Sequence, residues 1–299
     1  MATAVALAAR VRGVFSGLEF THAELNERGE DHQVLVLDDR YLFRFPRHAH
    51  HPTGLALERA VIGAVRGRCD LPMPDYRFVA PGGEFAGYEM IQGVELTPER
   101  FAALARPAQE RVLEQAAGFL SALHQISLDE VAAALGAEPD PWPREQTPAE
   151  LAAESRARRL PFIAAALPAL VPAVEGLYGR FSAMTEGPLR LTHGDMTSDH
   201  MLLAPEGDRL AGVIDFGDAE IGDAAYDVAY FWSYGAWAPA FVVDRYALKD
   251  QDPGLLERSR WHFARYRISR LGEALENGWS GVAGEIAGAL PALLAGLLV

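Results

Sequence analysis

Leu191-Thr-His-Gly-Asp-Met-Thr-Ser-Asp-His-Met-Leu-Leu203, followed by Gly212-Val-Ile-Asp-Phe-Gly-Asp-Ala-Glu-Ile-Gly-Asp223, is the stretch that decides how this chain is read. In each segment a polar cluster adjoins a short apolar run. Asp195, His200 and Asp215 are thereby expected at one end of a small hairpin. Such an arrangement suits phosphoryl transfer, which needs one carboxylate to orient an acceptor hydroxyl and ligands that hold Mg²⁺ against nucleotide phosphates. Carboxylate oxygens are natural partners for so hard a cation.

Working outward, the first ninety or so residues alternate like a sheet. Gln33-Val-Leu-Val-Leu-Asp-Asp-Arg-Tyr-Leu-Phe-Arg-Phe-Pro46 places two apolar runs around Asp38-Asp39, a strand, tight turn, strand pattern. Thr53 to Val65 reads as a helix capped by Thr53, and Leu71-Pro-Met-Pro74 ends the segment after it. Strand character returns at Tyr76 to Val79 and at Tyr88-Glu-Met-Ile91, with Gly93 as a hinge. Beyond that point helices dominate. Val112, Ala116, Phe119, Leu120 and Leu123 share one face, so Gln109 to Gln125 is read as an amphipathic helix. Glu138 to Pro148 reads as a loop, and a helical stretch from Pro148 to Arg180 is expected to break at Pro161, Pro168 and Pro172. Leu189 to Thr192, Met201 to Ala204 and Leu210 to Ile214 read as short strands. The implied class is α+β with two lobes: a small β-rich lobe over residues 1–92 and a larger, mainly helical lobe over 93–299. A cleft between two lobes is a usual place for a ligand.

The chain has 299 residues, 49% hydrophobic and 23% charged, as expected of a folded globular protein. Its formal net charge of -14 argues against a nucleic-acid partner held through phosphates, and an acidic surface suits cationic ligands. The single cysteine, Cys69, forms no internal disulfide and builds no Cys-rich zinc site, which points to the cytoplasm. The N-terminus lacks the basic-then-apolar order of a secretory signal. Ile286 to Val299 is too short to span a bilayer, is interrupted by Pro291, and reads as a buried terminal helix.

The motifs His193-Gly194-Asp195, His200, Ile214-Asp215-Phe216-Gly217 and Gly222-Asp223 resemble those of the aminoglycoside phosphotransferase family, which shares the two-lobed protein-kinase-like fold. The resemblance runs from about residue 33 to residue 230. It implies that Asp195 orients or deprotonates the acceptor hydroxyl, and that Asp215 and His200 hold Mg²⁺. His at position 200, where many relatives have Asn, is similar to the 2''-phosphorylating aminoglycoside enzymes and the macrolide kinases. The family's strand lysine, which contacts nucleotide phosphates and pairs with a helix glutamate, aligns with Arg44 and Glu58. Arginine keeps the charge but is a bulkier, forked donor, so it is not a neutral exchange. Glu89 and Ile91 align with the backbone positions that hold the purine of ATP or GTP, and Gly29 to His32 with the turn that covers the phosphates.

The resemblance therefore implies an antibiotic-inactivating enzyme that moves the γ-phosphoryl of ATP or GTP to a hydroxyl of a small molecule. An aminoglycoside is the first candidate, with Asp195 and Asp218 as acidic contacts. The aromatic run from Val228 to Trp237 would suit a macrolide; a basic cyclic peptide antibiotic, an endogenous metabolite and an inactive nucleotide-binding regulator are further alternatives. Asp223 follows Asp215 by only eight positions, which leaves no segment to hold a peptide substrate. Asp223 and Asp227 read as helix-capping and loop-bracing residues, His48, His50 and His51 as a surface turn, and Trp232, Trp237, Trp261 and Trp279 as core. No partner beyond a small molecule is implied, neither nucleic acid nor membrane, and oligomeric state is not legible.

Overall fold

The computed structural model describes residues 3–26, 32–47, 52–136 and 146–298. In chain order these form α1 (Ala4–Val14), β1 (Ala23–Asn26), β2 (His32–Leu37), β3 (Tyr41–Pro46), α2 (Pro52–Val65), β4 (Phe78–Val79), β5 (Ala86–Glu89), β6 (Val94–Glu95), α3 (Pro98–Ala103), α4 (Arg106–His124) and α5 (Leu128–Leu135). There follow α6 (Pro148–Ala166), α7 (Val171–Ser182), β7 (Leu189–Thr192), β8 (Met201–Leu203), β9 (Leu210–Val213), β10 (Glu220–Asp223), α8 (Ala224–Ala229), α9 (Trp237–Arg245), α10 (Leu255–Glu276) and α11 (Ser280–Leu298). The class is α+β, as expected. The chain divides into two compact units, one of Met1–Gln115, Ile126–Pro141 and Thr197–Ala219, the other of Ala116–Gln125, Trp142–Met196 and Glu220–Val299.

In the first unit, a five-stranded antiparallel sheet runs in the order β1-β2-β3-β5-β4. The hairpin read at Asp38-Asp39 forms. Both residues have φ of 50° and the Arg40 N–H donates to the Leu37 carbonyl at 3.0 Å, the geometry of a type I′ turn. Asp tolerates this left-handed conformation better than most residues. The Asp38 carboxylate also accepts the Thr21 and His22 amides at 3.0 and 2.6 Å, and these bonds hold its carboxyl below the usual range. Alternation along β2 and β3 turns Leu35, Leu37, Phe43 and Phe45 into a core with Leu7, Ala8 and Val11 of α1. Arg44, between the two phenylalanines, therefore points to the opposite face. A second sheet of the unit pairs β6 with β8 and β8 with β9.

In the second unit, α10 packs against α6, α8 and α11. Its core joins Ile163 of α6, Leu177 and Phe181 of α7, Ile268 and Leu271 of α10, and Ile286 and Leu290 of α11. The strands β7 and β10 pair antiparallel, with Asp223 opposite Leu189.

Several expectations are corrected. The first ninety or so residues are expected to alternate like a sheet, but Ala4–Val14 forms the helix α1, with Thr3 accepting the Ala6 amide as its cap. The helix expected from Thr53 begins at Pro52, so Thr53 lies inside its first turn. Pro161 sits within the continuous α6, whose packing on α7 and α10 outweighs one lost backbone bond; Pro168 lies in a 3-10 turn and Pro172 in the first turn of α7. Trp279 is exposed rather than core, at 42%, with Arg270 over its ring. The expected terminal helix is present as α11, with Ile286, Leu290, Leu294 and Leu297 buried at helical spacing. Among the described residues no helix is long and apolar enough to cross a membrane. The His48, His50 and His51 turn, and most of the loop expected from Glu138, lie outside the described residues.

Candidate active site

In the first unit the residues singled out by sequence converge on Arg44. Its side chain is only 8% exposed, and its Nη1 donates to both Glu58 oxygens, at 2.8 and 3.1 Å. The same nitrogen lies 2.9 Å from Asp215 Oδ1, and Nη2 lies 3.1 Å from His32 Nδ1. Glu58 on α2 is wholly buried; it also accepts the Tyr76 hydroxyl at 2.9 Å and the Phe216 amide. One forked cation thus ties the sheet, α2 and the Asp215 segment together, where an ammonium would offer a point charge. Burial works against the charge on Arg44, but Glu58, Tyr76 and Asp215 around it raise its pKa well above the usual value. Burial raises the Glu58 carboxyl above its ordinary range, and Arg44 opposes that rise.

Asp215 follows β9 and His200 precedes β8. The Ile214 amide donates to the His200 carbonyl at 3.0 Å, which carries the β8–β9 pairing one step further and brings the two residues together. His200 Nε2 lies 3.8 Å from Asp215 Oδ2. Asp215 has φ of 63°, a left-handed conformation uncommon outside glycine and a kind of strain that gathers at functional sites. A Cβ on Gly217 would stand 3.3 Å from Asp215 Oδ1 and 3.4 Å from Arg44 Nη2, in close contact with both side-chain ends. Gly212 is tighter, since a Cβ there would lie 2.6 Å from the Pro72 carbonyl oxygen and 3.1 Å from Ile91.

In the second unit Asp195 is half-buried on the loop after β7. The loop is held from beneath by Asp227 of α8, a carboxylate with no exposed surface. Asp227 Oδ2 accepts the His193 amide at 2.8 Å and Oδ1 accepts the Gly194 amide at 3.0 Å. Gly194 has φ of 80°, which lets both amides face one carboxylate. Burial disfavours the Asp227 charge, yet the bond from His124 and those from the loop keep its pKa below the usual range. Asp223 caps α8 by accepting the Ala225 amide at 2.9 Å, and Arg258 donates to both its oxygens, at 2.6 and 3.0 Å. Both aspartates have the capping and bracing roles read from sequence.

A family model described as "Phosphotransferase enzyme family" matches residues 22–264. This chain belongs to that family. Solved structures similar to it over nearly the whole length include the GDP complex of wild-type aminoglycoside 2'-phosphotransferase-IIIa, 21% identical over 99% of each chain with a TM-score of 0.76. The GDP and kanamycin complex of APH(2'')-IIIa is 22% identical over 97% of this chain and 98% of that one, with a TM-score of 0.75. A macrolide 2'-phosphotransferase type I is 20% identical over 97% and 98%, with a TM-score of 0.64. At such identities the likeness carries the fold.

The donor chemistry of this phosphotransferase fits Mg²⁺. Among the described residues no group of three or more His, Cys, Asp or Glu converges as an all-protein cage. Mg²⁺ seldom uses one; it takes one or two carboxylates and fills its octahedron with phosphate oxygens and water. Asp215 supplies such a carboxylate, with the His200 imidazole beside it. Of the other residues singled out, Glu89 ends β5 opposite Tyr41 and its side chain pairs with Arg40 at 3.1 Å. Ile91 packs over Gly212, and Asp218 is exposed at the end of the 3-10 turn after Asp215. Gly29 lies outside the described residues, while His32 at the start of β2 is buried against Arg44. His32, read as the end of the phosphate-covering turn, instead opens β2, and its contact with Arg44, like Tyr76 and His124, was not found from sequence. Each meets its partner only in three dimensions, and no spacing signals it.

Proposed function

We propose that this protein is a Mg²⁺-dependent kinase of small hydroxylated molecules, an antibiotic-inactivating phosphotransferase that uses ATP or GTP and takes an aminoglycoside as acceptor. The observation that carries this reading is the group Arg44, Glu58, Asp215 and His200, a buried guanidinium with two carboxylates and an imidazole gathered in one unit of a family member. In this reading Arg44 faces the nucleotide phosphates and Glu58 keeps its guanidinium aimed. Asp215 and His200 hold the ion, which when bound neutralises phosphate charge and aligns the transferring group. Asp195 accepts a hydrogen bond from the acceptor hydroxyl and takes its proton as the acceptor oxygen bonds to the γ-phosphorus and the bond from that phosphorus to the β,γ-bridging oxygen breaks, releasing ADP or GDP. Positioning and charge stabilisation supply most of the rate in such a reaction. The backbone at Glu89 and Ile91 contacts the purine, and Asp218 attracts a cationic group of the acceptor. Residues 1–92 form the nucleotide-binding lobe and 93–299 the acceptor lobe. A cytoplasmic setting agrees with the single cysteine, and the net charge of -14 argues against nucleic acid.

Replacing Asp195 with Asn should abolish transfer while ATP and GTP still raise the melting temperature. Turnover equal to wild type would sink the mechanism. The acceptor is tested by transfer of labelled γ-phosphate to a panel containing kanamycin, other aminoglycosides, macrolides and basic cyclic peptides.

A second reading, an apolar acceptor such as a macrolide, is favoured by the aromatic surroundings of Asp195. Tyr266 lies within electrostatic reach of Asp195, and its ring is 6.1 Å from that of Tyr230, itself 5.7 Å from Tyr234. Transfer to macrolides with none to aminoglycosides would decide for it.

A further inference from the structure

Beneath the Asp195 loop, the hydrogen-bond chain continues past Asp227. His124, the last residue of α4, is 1% exposed, and its Nε2 lies 3.0 Å from Asp227 Oδ2. Its Nδ1 lies 2.9 Å from the hydroxyl of Tyr246, which is 3% exposed and ends α9. One turn earlier on α4, Ser121 Oγ accepts the Ala247 amide at 3.0 Å, so the same two segments are joined twice. Phe119, also on α4, sets its ring edge-on to His193 at 6.4 Å.

We propose that His124, with Tyr246 behind it, is a positioning residue for Asp195: it fixes the Asp227 carboxylate whose two oxygens hold the His193 and Gly194 amides. An ionised carboxylate only accepts, so Nε2 of His124 carries the proton and donates to Asp227. A neutral imidazole then accepts at Nδ1, and the Tyr246 hydroxyl is the donor that selects this tautomer. Burial keeps the Tyr246 hydroxyl protonated, its pKa raised above the usual value. Asp227 Oδ2 is shared between His193 and His124, at 2.8 and 3.0 Å, so rotation of the carboxylate would break the loop amides and the imidazole bond together. The loop residue that follows, Asp195, inherits its place from this chain. The inference rests on Asp195 acting as proposed above.

The test uses the full chain with γ-labelled ATP and GTP, reading nucleotide hydrolysis and transfer to the panel. His124→Leu should lower kcat about 10- to 100-fold, the scale of a roughly 1 Å misplacement, with nucleotide affinity unchanged. His124→Gln, whose amide can donate to Asp227, should recover most of that loss even if its melting temperature stays as low as that of the Leu variant. Wild-type kcat in His124→Leu, or a Gln variant as slow as the Leu variant, would overturn the proposal. If the Leu variant does not fold, the test is read on Tyr246→Phe. It should lose several-fold in kcat with unchanged nucleotide affinity, and wild-type kcat there refutes the chain. A readout independent of turnover is the ¹⁵N spectrum of labelled histidine: the His124 Nε2 should be protonated and Nδ1 bare, and a protonated Nδ1 overturns the assignment. Asp195→Asn runs beside these variants. If it turns over normally, the reading of Asp195 fails; if it is dead while His124→Leu is normal, only the present inference fails.

Discussion

Replacing Arg44 with Met keeps most of the side-chain volume and removes the guanidinium at the centre of the first unit's polar group. Glu58 then stays wholly buried with the Tyr76 hydroxyl and the Phe216 amide as its remaining partners, and Asp215 loses a contact of 2.9 Å. Removing one partner of a buried ion pair costs about 3–5 kcal/mol, because the charge left behind is uncompensated. Glu58→Gln alone should cost less, since an amide keeps one acceptor for Arg44. In Arg44→Met/Glu58→Gln no buried charge is stranded, since Asp215 is partly open to solvent, so the double variant should recover about 2 kcal/mol relative to the sum of the single losses. The sign with pH is also set. Burial already raises the folded pKa of Glu58, and without Arg44 it rises further. The stability held by the protonated form is fully present below about 4.3, the ordinary Glu value, and is lost as pH climbs through the folded pKa. Arg44→Met should therefore be hurt more at pH 8 than at pH 5. Urea unfolding followed by circular dichroism measures the losses, and hydrogen exchange of peptides over β3 and α2 localises them. Losses that add within about 0.5 kcal/mol, or a variant indifferent to pH, would refute the argument that Arg44 and Glu58 act as a unit.

His262 gives a second pH handle. It is 1% exposed, its ring lies 5.2 Å from Phe181 and 5.5 Å from Tyr226, and burial together with Arg265 lowers its pKa to about 3. A depressed folded pKa contributes stability that is whole above about 6.5 and is lost as pH falls toward the folded value. Wild type should thus lose roughly 2 kcal/mol more than His262→Leu between pH 7 and pH 5, and parallel acid titrations of the two melting curves would contradict this. Gly212→Ala should destabilise by about 1–3 kcal/mol, because its Cβ would stand 2.6 Å from a backbone oxygen that has no rotamer to escape through. A melting temperature equal to wild type would show that the Pro72 segment gives way.

The sequence carried what depends on near neighbours. The Asp38-Asp39 hairpin is a matter of turn chemistry, α4 one of periodic apolar residues, and the pairing of His200 with Asp215 follows from two apolar runs close enough to form β8 and β9. The resemblance drawn from its motifs placed Arg44 and Glu58 as partners, and the structure bonds them at 2.8 Å. Reading by local rules failed where packing decides. Pro161 stays inside α6 because α7 and α10 hold the helix on both flanks. The alanine-rich N-terminus becomes α1 because β2 and β3 offer an apolar face to cover.

What the sequence determined by itself is therefore the inventory: which residues can bear phosphate, metal and proton, and on which short elements they ride. What only tertiary structure decided is which groups share a proton or a charge. Arg44 divides one guanidinium between Glu58 and Asp215, and Tyr246 reaches His124 across 122 residues of chain. Turns and periodicity act over a few bonds and are written locally. Hydrogen bonds inside a core form between whichever groups folding leaves without water, and their geometry exists only once the chain has closed around them.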